Sequence, residues 1–160
     1  MSEDGADRSG PIGWLFVAAQ FVLLGALGIE VLRTSRRPGI LGLLGLGAAA
    51  AGGGVAALAS TTLGRALRAH PAPSEDAVLR TDGPYAFVRH PIYLGVLMLA
   101  GGALLIARTG RALVAFGALA TLLDCKTRLE ERLLAERFPD YGEYAAHVPS
   151  IVPDATRLLG

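Results

Sequence analysis

Residues 40–63 read ILGLLGLGAAAAGGGVAALASTTL, and none of them carries a charge. As a helix this run reaches about 36 Å, against a bilayer hydrocarbon core of about 30 Å. A core helix of a soluble protein turns a polar face to water every three to four residues. This run has no such face. Further charge-free runs flank it. No Asp, Glu, Lys or Arg falls between Arg8 and Glu30, between Arg89 and Arg108, or from Ala112 to Leu123. The first is long enough to span a bilayer. Ile92–Ala107 is short for that, and the last spans only if its helix continues into the charged stretch Asp124–Arg137. The pattern predicts an all-α integral membrane protein with about four transmembrane helices.

The chain has 160 residues, 52% apolar and 18% charged, which suits one domain over residues 1–160. Residues 13–63 form two N-terminal spanning helices, and residues 81–153 a helical hairpin with its tail. The N-terminal MSEDGADRSG is acidic and lacks a basic leader, so the first span is expected to be retained rather than cleaved. With Cys125 as its single cysteine, the chain has no internal disulfide and no cysteine-based zinc site. His70, His90 and His147 are scattered, which argues for no metal, and no basic stripe argues for nucleic acid. If the N-terminus is cytoplasmic, ten of the 15 Lys and Arg residues fall inside, and Arg33, Arg36, Arg37, Arg108 and Arg111 outside. That balance favours both termini inside, although the tight Arg33–Arg37 cluster opposes it.

Local signals divide the chain further. The first helix ends before Arg36-Arg37-Pro38-Gly39, and Glu30 lies near enough to its end to snorkel. In the second, Ala48/Gly52, Ala49/Gly53 and Ala50/Gly54 are small-residue pairs suited to close helix packing. His70-Pro71-Ala72-Pro73 breaks any helix, Ser74-Glu75-Asp76 offers a cap, and Asp82-Gly83-Pro84 a turn. A third helix starts after His90-Pro91, with proline in its favoured first turn. Arg108-Thr109-Gly110-Arg111 turns the chain into a fourth, where Leu122, Cys125, Leu129 and Leu133 recur at helical spacing.

Two polar clusters bracket that hairpin. The first is GPYAFVRHPIYLG, residues 83–95. The second is Glu130-Glu131 with Phe138-Pro139-Asp140-Tyr141 and Tyr144. Hairpin geometry returns them to one side, next to an apolar interior. Each also has a plainer reading. Arg89 and His90 suit lipid headgroups, and the tyrosines an interfacial belt. Glu130 and Glu131 suit a solvated face paired with Lys126 and Arg128, and Asp124 a surface pair with Arg128. Together they could hold a zwitterionic soluble ligand. Carboxylates suit an ammonium or ribose hydroxyls, Arg or His a carboxylate, and Tyr stacking.

GPYAFVRHPIYLG followed by EERLLAERFPDYGEYAAHVPSIVP resembles the isoprenylcysteine carboxyl methyltransferase family, part of a wider group with the phospholipid N-methyltransferases. The resemblance covers residues 81–153. It lies in an Arg-His-Pro-x-Tyr box, here Arg89-His90-Pro91-Ile92-Tyr93, and a downstream Glu-Glu box, here Glu130-Glu131. In that family both boxes bind S-adenosylmethionine. The resemblance therefore implies a C-terminal cytoplasmic cofactor-binding region and an S-adenosylmethionine-dependent methyltransferase working by in-line displacement. Tyr85, His90, Pro91, Tyr93, Glu130, Glu131, Tyr141 and Tyr144 are then expected at the cofactor, and Arg89 and Glu130 in catalysis. Arg89 either clamps a carboxylate or orders the loop. His147 is expected at the interface, and Ser150 stands where the family commonly has a basic residue. The expected acceptor is a lipophilic small molecule or lipid, an isoprenylcysteine-like carboxylate or a small thiol, reached from the bilayer. A bacterial inner membrane is the expected setting, with the site facing the cytoplasm. Two other readings stay open: a related membrane reductase using a nicotinamide cofactor, and a non-catalytic membrane subunit.

Overall fold

The computed structural model describes residues 10–34, 39–64 and 79–152, with side chains from residue 13 onward. Five helices carry the described chain: α1 Gly10–Leu32, α2 Ile40–Leu63, α3 Pro91–Ala107, α4 Gly110–Arg137 and α5 Tyr141–His147. A 3-10 turn, Gly83–Ala86, precedes α3, and no strand occurs among the described residues. The stop signal at Arg36-Arg37-Pro38, the breaker at residues 70–73 and the cap at residues 74–76 lie outside the described residues, as do Arg8, Arg65, Arg68, Pro153 and Arg157.

Two helices are long and apolar enough to cross a membrane, at Gly13–Leu32 and Ile40–Leu63, and Pro91–Ala107 is a shorter apolar helix. Within the protein only 11% of the first span and 17% of the second are buried. A core helix in a soluble protein would be mostly covered. Here Leu15, Phe21 and Val22 on α1, and Leu43, Leu44 and Leu58 on α2, face outward. Apolar surface of that extent needs lipid around it. The chain is a membrane protein.

Helix α3 is central, with α2 packed along one side and α1 and α4 on the other. The α2–α3 contact brings two backbones together. A Cβ added at Gly52 would stand 2.5 Å from the carbonyl oxygen of Gly95, and one at Gly45 2.6 Å from that of Gly102. Gly42, Gly45, Gly52 and Ala59 are the buried residues of α2, so from Gly45 onward the seam advances seven residues at a time. Gly53 and Gly54 meet nothing within 4 Å. Of the small-residue pairs read from the sequence, Gly52 enters the seam, and so does Ala49, whose Cβ would stand 2.9 Å from one added at Gly102. The antiparallel partner selects this seam because it presents Gly95 and Gly102 at the same interval, and lipid association rests on such close packing.

The α3–α4 turn takes two residues. Arg108 adopts the left-handed conformation (φ 52°), and its N–H donates to the Leu104 carbonyl at 2.8 Å. Thr109 then caps α4, its hydroxyl accepting from Ala112 N–H at 3.1 Å. The same hydroxyl donates to Glu30 at 2.8 Å, and Arg111 Nε donates to the other Glu30 oxygen at 3.0 Å. Glu30 is buried. Instead of snorkelling outward, it ties the end of α1 to the hairpin. Near the middle of α1, Gln20 approaches Lys126, so α1 and α4 run antiparallel. The core between them and α3 is Leu27, Ala100, Ala107, Leu119 and Leu123.

Of the helical stripe expected on α4, Leu122, Leu129 and Leu133 are half-buried, but the fully buried face lies beside it. Cys125 is exposed, whereas Lys126 and Thr127 are buried at 2% and 4% exposure. The inward stripe of the C-terminal half is polar, and it leads directly to the site.

Candidate functional site

Proline explains where α3 begins. Pro91 lacks an N–H and occupies the first helical position, fully buried. The two residues before it are pinned by the C-terminal tail: Arg89 N–H donates to the Pro149 carbonyl and His90 N–H to that of Ser150, both at 2.9 Å. The tail thus closes over the start of α3, and the site is built from three segments rather than the two helices of the hairpin.

Glu131 lies at its centre. Its Oε1 accepts from Arg89 Nη2 at 2.8 Å and Arg89 Nε at 3.2 Å, from Ser150 Oγ at 2.8 Å, and lies 3.3 Å from His90 Nε2. Arg89 also donates through Nη1 to the Ala145 carbonyl of α5 at 2.7 Å. One guanidinium therefore joins the start of α3, the end of α4 and α5. Glu130 points one step round the helix. Its Oε1 accepts from Tyr93 Oη at 2.5 Å, and its Oε2 lies 3.5 Å from His90 Nδ1. His90 is thereby held between both carboxylates, its ring stacked on Tyr93 at 5.6 Å between centroids and 5° between planes.

Each of these groups is perturbed for a physical reason. The His90 hydrogen bond, opposed by burial and then aided by Ser150 and the Arg89 charge, holds the Glu131 carboxyl down to about 2. Burial disfavours the His90 imidazolium, but the hydrogen bonds and charges of Glu130 and Glu131 outweigh it and raise its pKa. Tyr85 and Tyr144 are both pushed up to about 12, mainly by burial. These phenols stay neutral.

The tyrosines form one wall. Tyr144 Oη donates to the Tyr85 carbonyl at 2.6 Å, and the Tyr141 and Tyr144 rings meet edge to face at 6.1 Å. Tyr141 is buried at 4% exposure, yet its hydroxyl has no partner among the described residues. On the membrane side, Lys126 Nζ lies 5.0 Å from the Tyr93 ring centroid and 3.4 Å from Gln20 Oε1 on α1. Asp124 pairs with Arg128 at 2.8 Å, both exposed. His147 lies apart, against the Glu143 carbonyl. No group of His, Cys, Asp and Glu among the described residues suits a metal ion.

The structure gathers Arg89, His90, Tyr93, Glu130 and Glu131 into one network, with Tyr85, Tyr141 and Tyr144 beside it. The solvated-face reading of Glu130 and Glu131 fails because both turn inward. Sequence reasoning gives Lys126 only a surface pairing with Glu130 and gives Ser150 no role in the site. For Lys126 a signal existed: it precedes Glu130 by four residues, on the same helix face. For Ser150 only the tail's fold reveals the contact.

A helical membrane protein with an ionic site across one end of a helical hairpin is the class this fold defines. The sequence model of the isoprenylcysteine carboxyl methyltransferase (ICMT) family, a methyltransferase family, matches residues 47–136, and the chain belongs to that family. It is 36% identical over 86 residues to the cobalt-zinc-cadmium resistance protein CzcN of Cupriavidus metallidurans, covering 51% of this chain and 38% of that protein. It is 35% identical over 79 residues to the nickel-cobalt-cadmium resistance protein NccN of Alcaligenes xylosoxydans xylosoxydans, covering 47% of this chain and 36% of that protein. The chain thus spans well under half the length of these curated relatives. No solved structure matches it. Helix α1, α5 and the tail that supplies Ser150 lie outside the family match.

Proposed function

We propose that the protein is a multi-pass membrane methyltransferase that uses S-adenosylmethionine to methylate a lipophilic acceptor at the cytoplasmic face of a bacterial inner membrane. The observation that carries this reading is the joining of the two boxes: Arg89, His90 and Tyr93 bonded to Glu130 and Glu131 across 37 to 42 residues of chain. The donor set suits the cofactor. Among the described residues, the hydrogen bonds to Glu131 fall on Oε1, and its second oxygen can take an ammonium or a ribose hydroxyl. Tyr141 supplies a buried hydroxyl without a partner among the described residues, a costly state that a bound ligand relieves.

The cofactor supplies a methyl group on a sulfonium, already activated for displacement. The protein's part is alignment and exclusion of water. Glu130 and Glu131 present negative charge to the cationic end of the cofactor, and Tyr93, locked by His90 stacking and by Glu130, gives a flat wall. Tyr85, Tyr141 and Tyr144 close the other side. Arg89 is engaged through three nitrogens within the protein, so it acts as a positioning residue for Glu131 and α5 rather than as a clamp on a substrate carboxylate.

Tritium transfer from methyl-labelled S-adenosylmethionine into an organic-extractable product tests the reading. Membranes containing the chain should label lipid-soluble material, and membranes containing Glu130→Gln should not. Equal labelling by both would remove Glu130 from the reaction. The relatives are named for resistance to transition metals, so membranes grown with cobalt, zinc or cadmium are the first place to look for an acceptor.

A further inference from the structure

The far end of the bundle carries a second ionic cluster. Glu30 is buried near the end of α1, and one of its oxygens faces two arginines. Arg111 Nε donates to Oε1 at 3.0 Å, and Arg33 Nη1 lies 3.7 Å from the same atom. Both arginine side chains are otherwise open, 75% exposed at Arg111 and 66% at Arg33. Arg108, in the α3–α4 turn, is a third cation. Residues 13–34, 39–64 and 91–123 hold these three arginines and one acidic residue, Glu30, so this end has an excess of two positive charges. Arg33 directly follows the apolar span Gly13–Leu32, the depth at which a spanning helix meets lipid phosphates. The cluster is separate from the site, since Arg111 and Glu130 stand about 28 Å apart along α4.

An apolar groove runs from this cluster into the membrane layer. It measures about 380 Å³ and is lined by Leu23 of α1 and by Gly110, Arg111, Val114, Ala115 and Ala118 of α4. Arg111, Val114, Ala115 and Ala118 follow one another at the three- and four-residue spacing of a single helix face. Glycine and alanine at three of these positions leave space that larger side chains would fill. The groove is open along its length, with Val114 72% exposed. From Arg111 to Ala118 is about 10 Å of helix, against about 15 Å for one leaflet of hydrocarbon. An arginine therefore stands at the head of an apolar slot that reaches well into one leaflet.

We propose that the groove and its arginines bind one anionic phospholipid, with the phosphate on Arg111 and Arg33 and an acyl chain along Leu23, Val114 and Ala118. Charge selects the occupant. An excess of two positive charges suits a lipid whose head is net negative better than a zwitterionic one. Among the described residues Arg111 spends only Nε on Glu30, so its two Nη groups can fork onto phosphate oxygens. The buried carboxylate holds the guanidinium in place before the lipid arrives, which lowers the entropy lost on binding. An arginine serving only as a loose headgroup anchor would need no such tie. The bound lipid fills the gap between α1 and α4 and so fastens the first helix to the hairpin. This proposal is independent of the methyltransferase reading.

The test is native mass spectrometry of the full chain in an uncharged detergent, titrated with phosphatidylglycerol or phosphatidylcholine of one chain length, beside thermal unfolding in the same mixtures. Wild type should retain one phosphatidylglycerol per chain, about tenfold more tightly than phosphatidylcholine, and its Tm should rise with phosphatidylglycerol. Arg111→Gln should remove most of that preference. Arg33→Gln, at an exposed side chain whose loss leaves the Glu30 bonds to Thr109 and Arg111 in place, should fold as wild type and still weaken the preference several-fold. Ala118→Leu, at an exposed position, fills the groove and should weaken retention of phosphatidylglycerol without lowering the lipid-free Tm. Equal or unsaturable retention of both lipids by wild type would leave only a general lipid shell and overturn the proposal. So would a preference unchanged in both arginine variants, or retention unchanged in Ala118→Leu. Stabilisation by glycerol 3-phosphate as large as that by phosphatidylglycerol would reduce the site to an anion site, and a dimer that excludes the lipid would assign the groove to a second copy of the chain; either result overturns the proposal.

Discussion

Replacing Glu131 by Gln separates the two carboxylates by function. The change keeps size and one carbonyl oxygen but removes the charge that faces Arg89 and His90. In the native site Glu131 Oε1 takes two guanidinium hydrogen bonds at 2.8 and 3.2 Å and a Ser150 hydroxyl at 2.8 Å. Hydrogen bonds to charged groups contribute about 1.5–3 kcal/mol, and breaking a buried ion pair from one side costs about 3–5 kcal/mol. The Arg89 side chain is 12% exposed and that of Glu131 26%, so solvent relieves part of the loss and about 3 kcal/mol is the expected cost. For a chain of this length that corresponds to a fall in Tm of about 6–12 °C. Glu130→Gln loses only the bonds from Tyr93 and His90, one of which the amide oxygen can still accept, and should cost about 1 kcal/mol. Cofactor affinity should fall in both. The assay is thermal unfolding of the purified protein in one detergent, followed by tryptophan fluorescence, beside cofactor titration. Equal Tm values for Glu131→Gln and wild type would refute the view that Glu131 joins α3, α4 and the tail.

Other outcomes follow from the same geometry. Arg89→Lys removes the fork that reaches Glu131 and Ala145 together, so kcat should fall and Tm drop by several degrees, with KM for the acceptor little changed; wild-type values in both would make Arg89 a headgroup anchor. Gly52→Leu places a side chain where even a Cβ meets backbone at 2.5 Å, and should separate α2 from α3 at a cost of at least about 3 kcal/mol, whereas Gly53→Leu, with nothing within 4 Å, should be tolerated. Stability of the site should depend on pH in two windows: the Glu131 contribution is full above about 4.5 and is lost as pH falls from there toward about 2, and the His90 contribution is full below about 6.5 and is lost as pH rises through its raised value. An unchanged unfolding midpoint from pH 7 down to pH 3 would contradict the first window. With Cys125 replaced by Ser, cysteines at exposed Leu32 and Val152 should label from opposite sides of the membrane, and labelling from one side would refute the multi-pass arrangement.

How much of this was legible in the sequence depended on where each signal resided. Charge-free runs located α1, α2 and α3 because lipid punishes every unpaired charge, and Pro91 fixed the start of α3 because no other residue so suits that position. The pairing of Arg89-His90 with Glu130-Glu131 was readable from hairpin logic. The α2 seam was not, because the sequence offers three overlapping small-residue registers and only the spacing of Gly95 and Gly102 on the partner helix chooses between them. The stripe of α4 located only part of its buried face, since Leu122, Leu129 and Leu133 are half-buried while Cys125 is exposed. In the membrane-flanking half of a helix around a site, the buried stripe is polar, so Lys126 and Thr127 turn inward while Cys125 faces out. Glu30 was read as a residue free to snorkel because its partners, Thr109 and Arg111, are far away in sequence. Ser150 looked like a neutral departure from a familiar pattern until the tail folded back and placed its hydroxyl on Glu131.

The central claim is that the joined boxes form a binding site for S-adenosylmethionine, and direct calorimetric titration of the purified full chain with S-adenosylhomocysteine tests it most directly. Saturable one-to-one binding that is lost or weakened at least about tenfold in Glu130→Gln, with that variant still folded, is the predicted result. No heat of binding to the folded wild-type protein, or binding indifferent to Glu130, would contradict it.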